Sequence, residues 1–424
     1  MAYEQAAQAP AHLVFRYSSF VNALIALTVS FGSFTFIEPS PYDLLMLLLW
    51  ISWVFSGVHI HRSVFAYIFP LMFIMIGGFI SLIPFFGDPD SQLHLFYTVY
   101  LSISGIIFAI MFGEDTLRRS DLCIRAYLAS CVLAAVVGII GWFDVGGTAQ
   151  YFAPAQRAMG PFKDPNVFGS YLVAGYLFLL QRLLRGDTKR LIGWLLSIAT
   201  ILLLACGTFL SFSRGSWGAL ALATILMSGL VFYTTDDARG RRRLIVIFSI
   251  VIAIVVAGVF VALSVESIRD VFSTRASLNQ EYDLGETGRF GNQARSIPML
   301  LDRPTGMGPL QFRTFFELDP HNSYIANFAD NGWLGGLSFI FLVGVTSFVG
   351  FRLCLSASPY RANAQVFFVA LLMYFVQAFQ IDIDHWRFVH LLLGVVWGLE
   401  ASRQKWSDAH SARIAPTHRE SDAA

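Results

Sequence analysis

Long apolar runs recur along the whole chain, and they constrain its fold more than any single motif does. A helix needs about 20 apolar residues to cross the hydrocarbon core of a bilayer, because unpaired backbone groups cannot be left facing lipid. The 424 residues are 56% hydrophobic and only 13% charged, which is more apolar surface than a soluble protein of this size buries. The sequence therefore predicts an all-α polytopic membrane protein.

By this length criterion the sequence predicts about twelve transmembrane helices. The first nine fall within residues 1–264 and the last three within residues 331–402. Between the two groups, the segment of residues 265–330 is too long for a simple turn and is expected to form a helical cap. Residues 403–424 are polar and are expected to form a disordered tail. The predicted spans are residues 18–37, 42–58, 64–86, 95–112, 121–142, 166–184, 191–211, 215–233, 244–264, 331–352, 362–380 and 386–401.

The positions of the basic residues predict the orientation, because Lys and Arg are favoured in cytoplasmic loops. With the N-terminus in the cytoplasm, 19 of the 29 Lys and Arg residues fall in segments on the cytoplasmic side. Both termini are therefore predicted to be cytoplasmic, and the 265–330 cap is predicted to lie on the outer face. The net charge of +1 averages over two faces, and no nucleic-acid partner is expected.

Cysteine usage predicts neither a disulfide nor a metal site. No cysteine falls in a predicted outer loop, and no two have the spacing of a metal-binding pair. The four cysteines are Cys123, Cys131, Cys206 and Cys354.

The first of four polar clusters on the predicted outer face precedes the sixth span. It contains Arg157 and Lys163, followed by Asp164, Pro165 and Asn166. Asp164 as N-cap and Pro165 at the first helical position are typical of a helix start, and that role alone would explain the segment. In the alternative interpretation, Arg157, Lys163 and the positive end of the helix form part of an anion site.

The second cluster joins the seventh and eighth spans with almost no loop. Arg214 is flanked by Ser213, Gly215 and Ser216. A charge at membrane depth costs up to about 3 kcal/mol unless it is paired or solvated. Arg214 either extends towards lipid headgroups or, with hydroxyl donors beside it, forms a phosphate-binding site.

The third cluster lies in the expected cap. A helix is predicted over residues 288–302 with Thr287 as N-cap, and on it Arg289, Gln293 and Ser296 share one face. Arginines in a solvated loop usually contact only water and have no functional role. Together with a second guanidinium, however, Arg289 has the chemistry to hold a diphosphate through bidentate hydrogen bonds.

The fourth cluster is His321 with Asn322 and Tyr324, just before the tenth span. A lone histidine is most often a structural hydrogen-bonding residue. The ordinary imidazole pKa near 6.5 nevertheless suits a general base at neutral pH, and Asp319 is close enough in sequence to orient the ring.

Asp382 and Asp384 form an Asp-x-Asp pair of the kind that holds a metal and a nucleotide sugar in many glycosyltransferases. The predicted topology puts this pair on the outer face, where nucleotide sugars are not expected. A cap for the last span is the favoured interpretation. In the alternative, His385 and Arg387 line the same pocket as the residues above.

The order of these motifs resembles the bacterial O-antigen ligase and O-antigen polymerase superfamily, and within it most closely the ligases. The resemblance covers residues 155–400. It is carried by Gly-Pro-Phe-Lys-Asp-Pro-Asn at 160–166, Ser-Arg-Gly-Ser at 213–216, Gly-Arg-Phe at 288–290, Pro-Thr-Gly-Met-Gly at 304–308, His-Asn-Ser-Tyr at 321–324 and Asn-Gly-Trp-Leu-Gly at 331–335.

The resemblance implies a membrane glycosyltransferase of lipopolysaccharide biosynthesis in the bacterial inner membrane, with its active site facing the periplasm. Such an enzyme moves a glycan from undecaprenyl diphosphate to an acceptor hydroxyl, which in the ligases belongs to the lipid A core. By motif position, Arg214 and Arg289 hold the diphosphate and His321 activates the acceptor. Substrate contacts are expected from Arg157, Lys163, Asn166, Ser213, Ser216, Gln293, Asn322, Tyr324 and Arg387.

The resemblance implies a metal-independent reaction, and no cofactor is expected. No nucleotide-binding fold is required, because the energy for transfer is already stored in the lipid-linked bond. Two alternatives remain open. A polymerase of O-antigen or exopolysaccharide would use the same donor with a lipid-linked glycan as acceptor. A polysaccharide or lipid transporter would carry polar residues at mid-span depth, whereas the predicted spans are nearly free of charge there.

Overall fold

The computed structural model describes residues 11–55, 59–276, 285–316 and 318–414. Within these ranges every regular element is helical, as the apolar pattern predicts. The α-helices are α1 (Ala11–Ser30), α2 (Pro41–Val54), α3 (Phe65–Leu82), α4 (Pro89–Phe112), α5 (Thr116–Trp142), α6 (Ala149–Phe152), α7 (Pro165–Arg185), α8 (Leu191–Leu210), α9 (Arg214–Tyr233), α10 (Ala238–Leu263), α11 (Glu266–Ala276), α12 (Arg289–Leu301), α13 (Phe312–Phe316), α14 (Ser323–Leu355), α15 (Arg361–Gln377) and α16 (Arg387–Ile414).

Eight helices in the described part of the chain are long and apolar enough to cross a membrane. They include α4, α5, α7, α8, α9, α10 and α14, and a segment, Arg62–Phe85, that contains α3. Two further apolar helices, Ser18–Ser33 and Pro41–Val54, are shorter. Helix α15 has only 17 residues, and α16 becomes charged after its first half. The protein is thus multi-pass, while the count of twelve spans stays a prediction.

The chain divides into two compact units. The first takes its described residues from Met1–Val58, Leu117–Trp217 and Val251–Phe272. In it α1 packs on α2 and α7 packs on α8. Tyr171 of α7 stacks on Tyr127 with ring centroids 4.5 Å apart, and its hydroxyl donates a hydrogen bond to Ser130. Both tyrosines are fully buried, so α5 and α7 share one core.

The second unit takes its described residues from His59–Thr116, Gly218–Ile250 and Ser273–Ala424. Helix α14 packs along α3 and also contacts α15 and α16, while α16 packs along α4. The short helices α12 and α13 lie against α14, where Leu300, Met307 and Phe312 form a small apolar core with Ala329. The residues expected to form a cap therefore contain helices, as predicted. Their location on the outer face stays a prediction.

Helix α14 is interrupted at Gly332, where φ is +63° and ψ is −169°. A Cβ at this position would lie 2.5 Å from the Pro304 carbonyl oxygen, so only glycine fits. The turn that begins at Pro304 satisfies the broken backbone. The Trp333 N–H donates to the Pro304 carbonyl at 2.9 Å, and the Met307 N–H donates to the Ala329 carbonyl at 2.7 Å.

Several boundaries differ from those predicted. Helix α4 begins at Pro89 and α14 at Ser323, whereas spans were expected from residues 95 and 331. The residues that precede each expected span are polar but helical. Helix α16 continues through Ile414, past residue 403, where a disordered tail was expected; residues 415–424 lie outside the described ranges. Helix α12 is capped at Gly288 and not at Thr287.

Candidate functional site

His321 stands at a strained position directly before α14. Its φ of +46° lies in the left-handed region, which a non-glycine residue adopts at a cost of about 1–3 kcal/mol. The next residue, Asn322, is the N-cap, and its side-chain oxygen accepts hydrogen bonds from the backbone N–H groups of Tyr324 and Ile325. The imidazole itself is about half exposed. The helix start thus fixes the backbone of His321 while the ring reaches solvent.

The turn between α15 and α16 holds this segment in place. The Asn322 N–H donates to Asp382 Oδ1 at 2.9 Å, and the Ser323 N–H donates to the Ala378 carbonyl at 2.8 Å. The other oxygen of Asp382 lies 3.9 Å from His321 Nδ1. One carboxylate therefore fixes the backbone beside His321 and also faces its ring.

Asp319, the orienting partner expected from sequence, has a different role. Its two carboxylate oxygens accept hydrogen bonds from the Arg313 guanidinium at 3.2 and 3.3 Å. Asp382 takes its place beside the ring. Burial and the neighbouring Asp384 raise the pKa of Asp382 well above its usual value, whereas the hydrogen bond from Asn322 opposes that rise.

Arg289, the first residue of α12, reaches the same turn. Its Nη1 donates to the Gln380 carbonyl at 3.1 Å, and its guanidinium lies 4.8 Å from the Phe290 ring centroid. Because Gln380 is two residues from Asp382, the structure brings Arg289 and His321 to one short turn. The sequence motifs predict a catalytic role for both residues, but no sequence pattern predicts that they meet at this turn.

Gln293, Asn322 and Tyr324, expected to contact substrate, make internal contacts here. Gln293 is buried and donates to the Pro320 carbonyl at 2.8 Å, one residue before His321. The Tyr324 hydroxyl donates to the Phe375 carbonyl at 3.0 Å, and its ring stacks on Phe379. These residues position the His321 segment. Arg387 is half-buried at the start of α16.

In the first unit, the Arg157 cluster forms a well-bonded helix start. Asp164 caps α7 by accepting from the N–H groups of Asn166 and Val167, which confirms that part of the prediction. Arg157 donates from Nε to the Ser211 carbonyl and from Nη2 to Asn166 Oδ1, both at 2.9 Å. Protein oxygens thus accept hydrogen bonds from two nitrogens of this half-buried guanidinium.

Lys163 and Glu38 form an ion pair at 2.5 Å in the first unit. Both side chains are about half exposed, so the pair is accessible to water and to salt. The positive charge expected at an anion site is thus matched by a carboxylate.

The Ser213–Ser216 segment starts α9. Ser213 Oγ accepts from the Ser216 N–H at 3.3 Å, and so caps the helix. The Ser216 hydroxyl is fully buried, bonds with Ser170 and donates to the Asn166 carbonyl. Ser216 therefore joins α9 to α7, whereas Ser213 caps α9. Arg214 is half-buried at the first position of α9.

The sequence also missed a buried polar group in the second unit. His94 Nε2 of α4 lies 3.1 Å from Asp330 Oδ2 of α14, and the His94 ring meets His385 edge to face. Burial lowers the pKa of His385 to about 3, so this ring is neutral at physiological pH. The only sequence signal was the Asp-x-Asp-His run at 382–385, because His94 directly precedes an expected span and Asp330 ends the expected cap, both far from this run in sequence.

A family model described as O-antigen ligase matches residues 199–340. The matched range includes Arg214, Arg289 and His321, whereas Asp382 and the Arg157 cluster lie outside it. No curated protein matches the chain. The family points to a membrane glycosyltransferase of the O-antigen ligase and polymerase type. Over residues 199–340 the chain thus matches the O-antigen ligase family, which confirms the predicted resemblance to the O-antigen ligase and polymerase superfamily.

Proposed function

We propose that the protein transfers a glycan from undecaprenyl diphosphate to an acceptor hydroxyl, and that the acceptor is the lipid A core, as in an O-antigen ligase. The observation that carries this proposal is the convergence of His321 and Arg289 on the turn at Gln380–Asp382. A basic nitrogen and a guanidinium at one turn match the two needs of the reaction, which are deprotonation of the acceptor and neutralisation of the leaving group.

His321 is proposed as the general base. Its Nδ1 faces Asp382 at 3.9 Å, so the opposite nitrogen, Nε2, takes the proton of the acceptor hydroxyl. The acceptor oxygen then attacks the anomeric carbon. Asp382 favours the tautomer with a proton on Nδ1 and stabilises the imidazolium that forms, as a carboxylate does in a hydrolase triad.

Arg289 and Arg214 are proposed to stabilise the leaving group. The bond between the anomeric carbon and the diphosphate oxygen breaks, and its electron pair leaves on undecaprenyl diphosphate. Guanidinium groups suit this anion because they donate hydrogen bonds in a planar fork. For Arg289 the support is its position beside the His321 segment. For Arg214 it is the motif match and its place at a helix N-terminus, where the helix dipole also favours an anion.

No metal takes part in this mechanism, because arginine donors neutralise the leaving group and the lipid-linked bond supplies the driving force. The proposal also keeps the location predicted from sequence. The enzyme lies in the inner membrane, both termini are cytoplasmic, and the residues of the cap face the periplasm with the donor's lipid tail in the bilayer. A phosphatase fused after residue 280 should then be active, and an inactive fusion would contradict this orientation.

Deleting the gene in its native cell separates the candidate activities. The measurement is mass spectrometry and gel analysis of the glycans on undecaprenyl diphosphate and of those on the outer-membrane lipid. Long polymer stranded on the carrier is the result expected for a ligase. Single repeat units on the carrier would replace the ligase with a polymerase, and unchanged pools would favour the transporter. Re-expression of the His321→Ala variant, which should not restore transfer, ties the phenotype to the proposed base.

A further inference from the structure

Two histidines and an aspartate that the proposed chemistry does not use come together in the second unit. His94 lies on α4, whereas Asp384 and His385 lie on the turn before α16. One nitrogen or carboxylate oxygen of each residue lies within 4.8 Å of the corresponding atoms of the other two. The two imidazole rings meet edge to face, with centroids 4.2 Å apart. Three good metal-ligand side chains from two distant parts of the sequence therefore converge.

A second residue holds each of these side chains in orientation. Asp330 lies 3.1 Å from Nε2 of His94, and Thr98 lies 2.9 Å from Nε2 of His385. The Ser323 hydroxyl donates to Asp384 at 3.3 Å. Histidines that bind metals almost always use one ring nitrogen for the cation and the other for a carboxylate, carbonyl or similar partner. With Nε2 engaged in both rings, the Nδ1 atoms remain for a cation.

The local charge balance also favours a cation. Asp330 is buried and interacts electrostatically with Asp384, whose side chain is 21% exposed, so two carboxylates share a partly buried region. Buried carboxylates are costly unless a positive charge compensates for them. A divalent ion would compensate the negative charge of both carboxylates. It would coordinate Asp384 directly and would act on Asp330 through the His94 ring that lies between them.

We propose that His94, Asp384 and His385 bind one divalent cation of the first transition row, with Zn²⁺ as the best match. Two imidazoles and one carboxylate suit Zn²⁺, and a water molecule would complete a tetrahedral site. Metal–ligand bonds of about 2.0–2.2 Å put ligand atoms about 3.4 Å apart, so binding draws the three groups together by about 1 Å. The role is structural: the cation joins α4 to the turn that carries Asp382.

This inference departs from the metal-free expectation for the protein, but it leaves the transfer chemistry unchanged. It goes beyond the proposed function, because the cation touches neither the acceptor nor the diphosphate. The metal content of the purified protein can be measured without any transfer assay. Failure of this inference therefore leaves the proposed function standing, and failure of the proposed function leaves this inference standing.

The test is Zn²⁺ binding by the full-length protein, purified in detergent without a polyhistidine tag. Equilibrium dialysis followed by elemental analysis should give about one Zn²⁺ per chain. His94→Ala and His385→Ala should each weaken that binding at least tenfold. The matched control is His61→Ala, which removes a histidine of the same unit that bonds with Ser63 and lies outside the cluster. This control should bind Zn²⁺ as the native protein does.

A second measurement needs no variant and so does not depend on variants that fold. Co²⁺ in place of Zn²⁺ should give the intense visible absorption of a tetrahedral ion, and Zn²⁺ should displace it. No stoichiometric Zn²⁺ on the native chain would overturn the proposal. The same holds for unchanged binding in folded His385→Ala protein, or for only the weak absorption of a six-coordinate Co²⁺ ion.

Discussion

Two polar segments, residues 157–166 and residues 319–323, both lead into a long apolar helix whose first turn is capped by a side chain. Asp164 caps α7 and Asn322 caps α14. In the first segment, Arg157 donates to two protein oxygens from half-buried surroundings. In the second, His321 is exposed, has a left-handed backbone and faces a carboxylate.

The difference separates two uses of the same kind of helix start. A guanidinium whose hydrogen bonds go to a carbonyl and an amide holds two elements together. A strained histidine whose ring reaches solvent is retained at a cost in stability, and such positions cluster at sites of chemistry. The 319–323 segment is therefore the one expected to act on substrate, although both segments carry a basic residue beside a helix N-terminus.

The largest effect should come from His321→Ala. Loss of a general base lowers kcat by about 10²- to 10⁴-fold, because proton transfer from the acceptor is no longer assisted. Donor binding should stay within threefold of native. The readouts are single-turnover transfer at saturating donor and binding of the lipid-linked donor. Near-native transfer would remove the distinction between the two segments.

Arg289→Ala and Arg214→Ala should each lower transfer by about 10²- to 10³-fold, as the loss of one donor to a developing anion does. The Arg-to-Lys variants should recover only part of this loss, because an ammonium cannot make the planar two-point contact of a guanidinium. The measurement is kcat with the same lipid-linked donor. Normal turnover in either alanine variant would exclude that arginine from the mechanism.

Asp382→Asn should lower kcat by about tenfold, less than loss of His321 itself, since the 3.9 Å separation is longer than a hydrogen bond. KM for the acceptor should change little. Asp319→Asn is the matched control, because Asp319 is a carboxylate close to His321 in sequence that pairs with Arg313 and not with the imidazole ring. An equal loss in both variants would show only a general effect of removing acidic charge near His321.

Arg157→Ala should affect stability more than chemistry. The lost hydrogen bonds to Ser211 and Asn166 should lower the free energy of unfolding by about 1–2 kcal/mol. Thermal unfolding in detergent gives this value, and binding of the diphosphate donor should stay within threefold of native. A large loss of donor binding in folded protein would show that Arg157 binds the anion, and the two helix starts would then not differ in function.

Lys163→Ala should have the smallest effect. Its ion pair with Glu38 is about half exposed, and such pairs contribute about 0–1 kcal/mol. The check is again thermal unfolding, with Glu38→Gln as the matched variant because it removes the other half of the pair. If Lys163→Ala costs donor binding and Glu38→Gln does not, the lysine binds the anion itself.

The sequence predicts those features that depend on neighbouring residues. Asp164 as a cap and the turn that begins at Pro304 follow from local chemistry and are present in the structure. The hydrogen bond from Asn322 to Asp382 joins residues 60 positions apart, and no local sequence pattern predicts it. His94 and Asp330 each directly precede an expected span, yet they lie inside helices α4 and α14 and each satisfies the other.

The most direct test of His321 as the base is single-turnover transfer by purified protein, from an undecaprenyl-diphosphate-linked glycan to a lipid A core acceptor. Native, His321→Ala and Asp382→Asn chains are compared at saturating donor. We expect His321→Ala to bind donor but to transfer at least 10²-fold more slowly, with Asp382→Asn between it and the native chain. Native-level transfer by His321→Ala would contradict the assignment of the base.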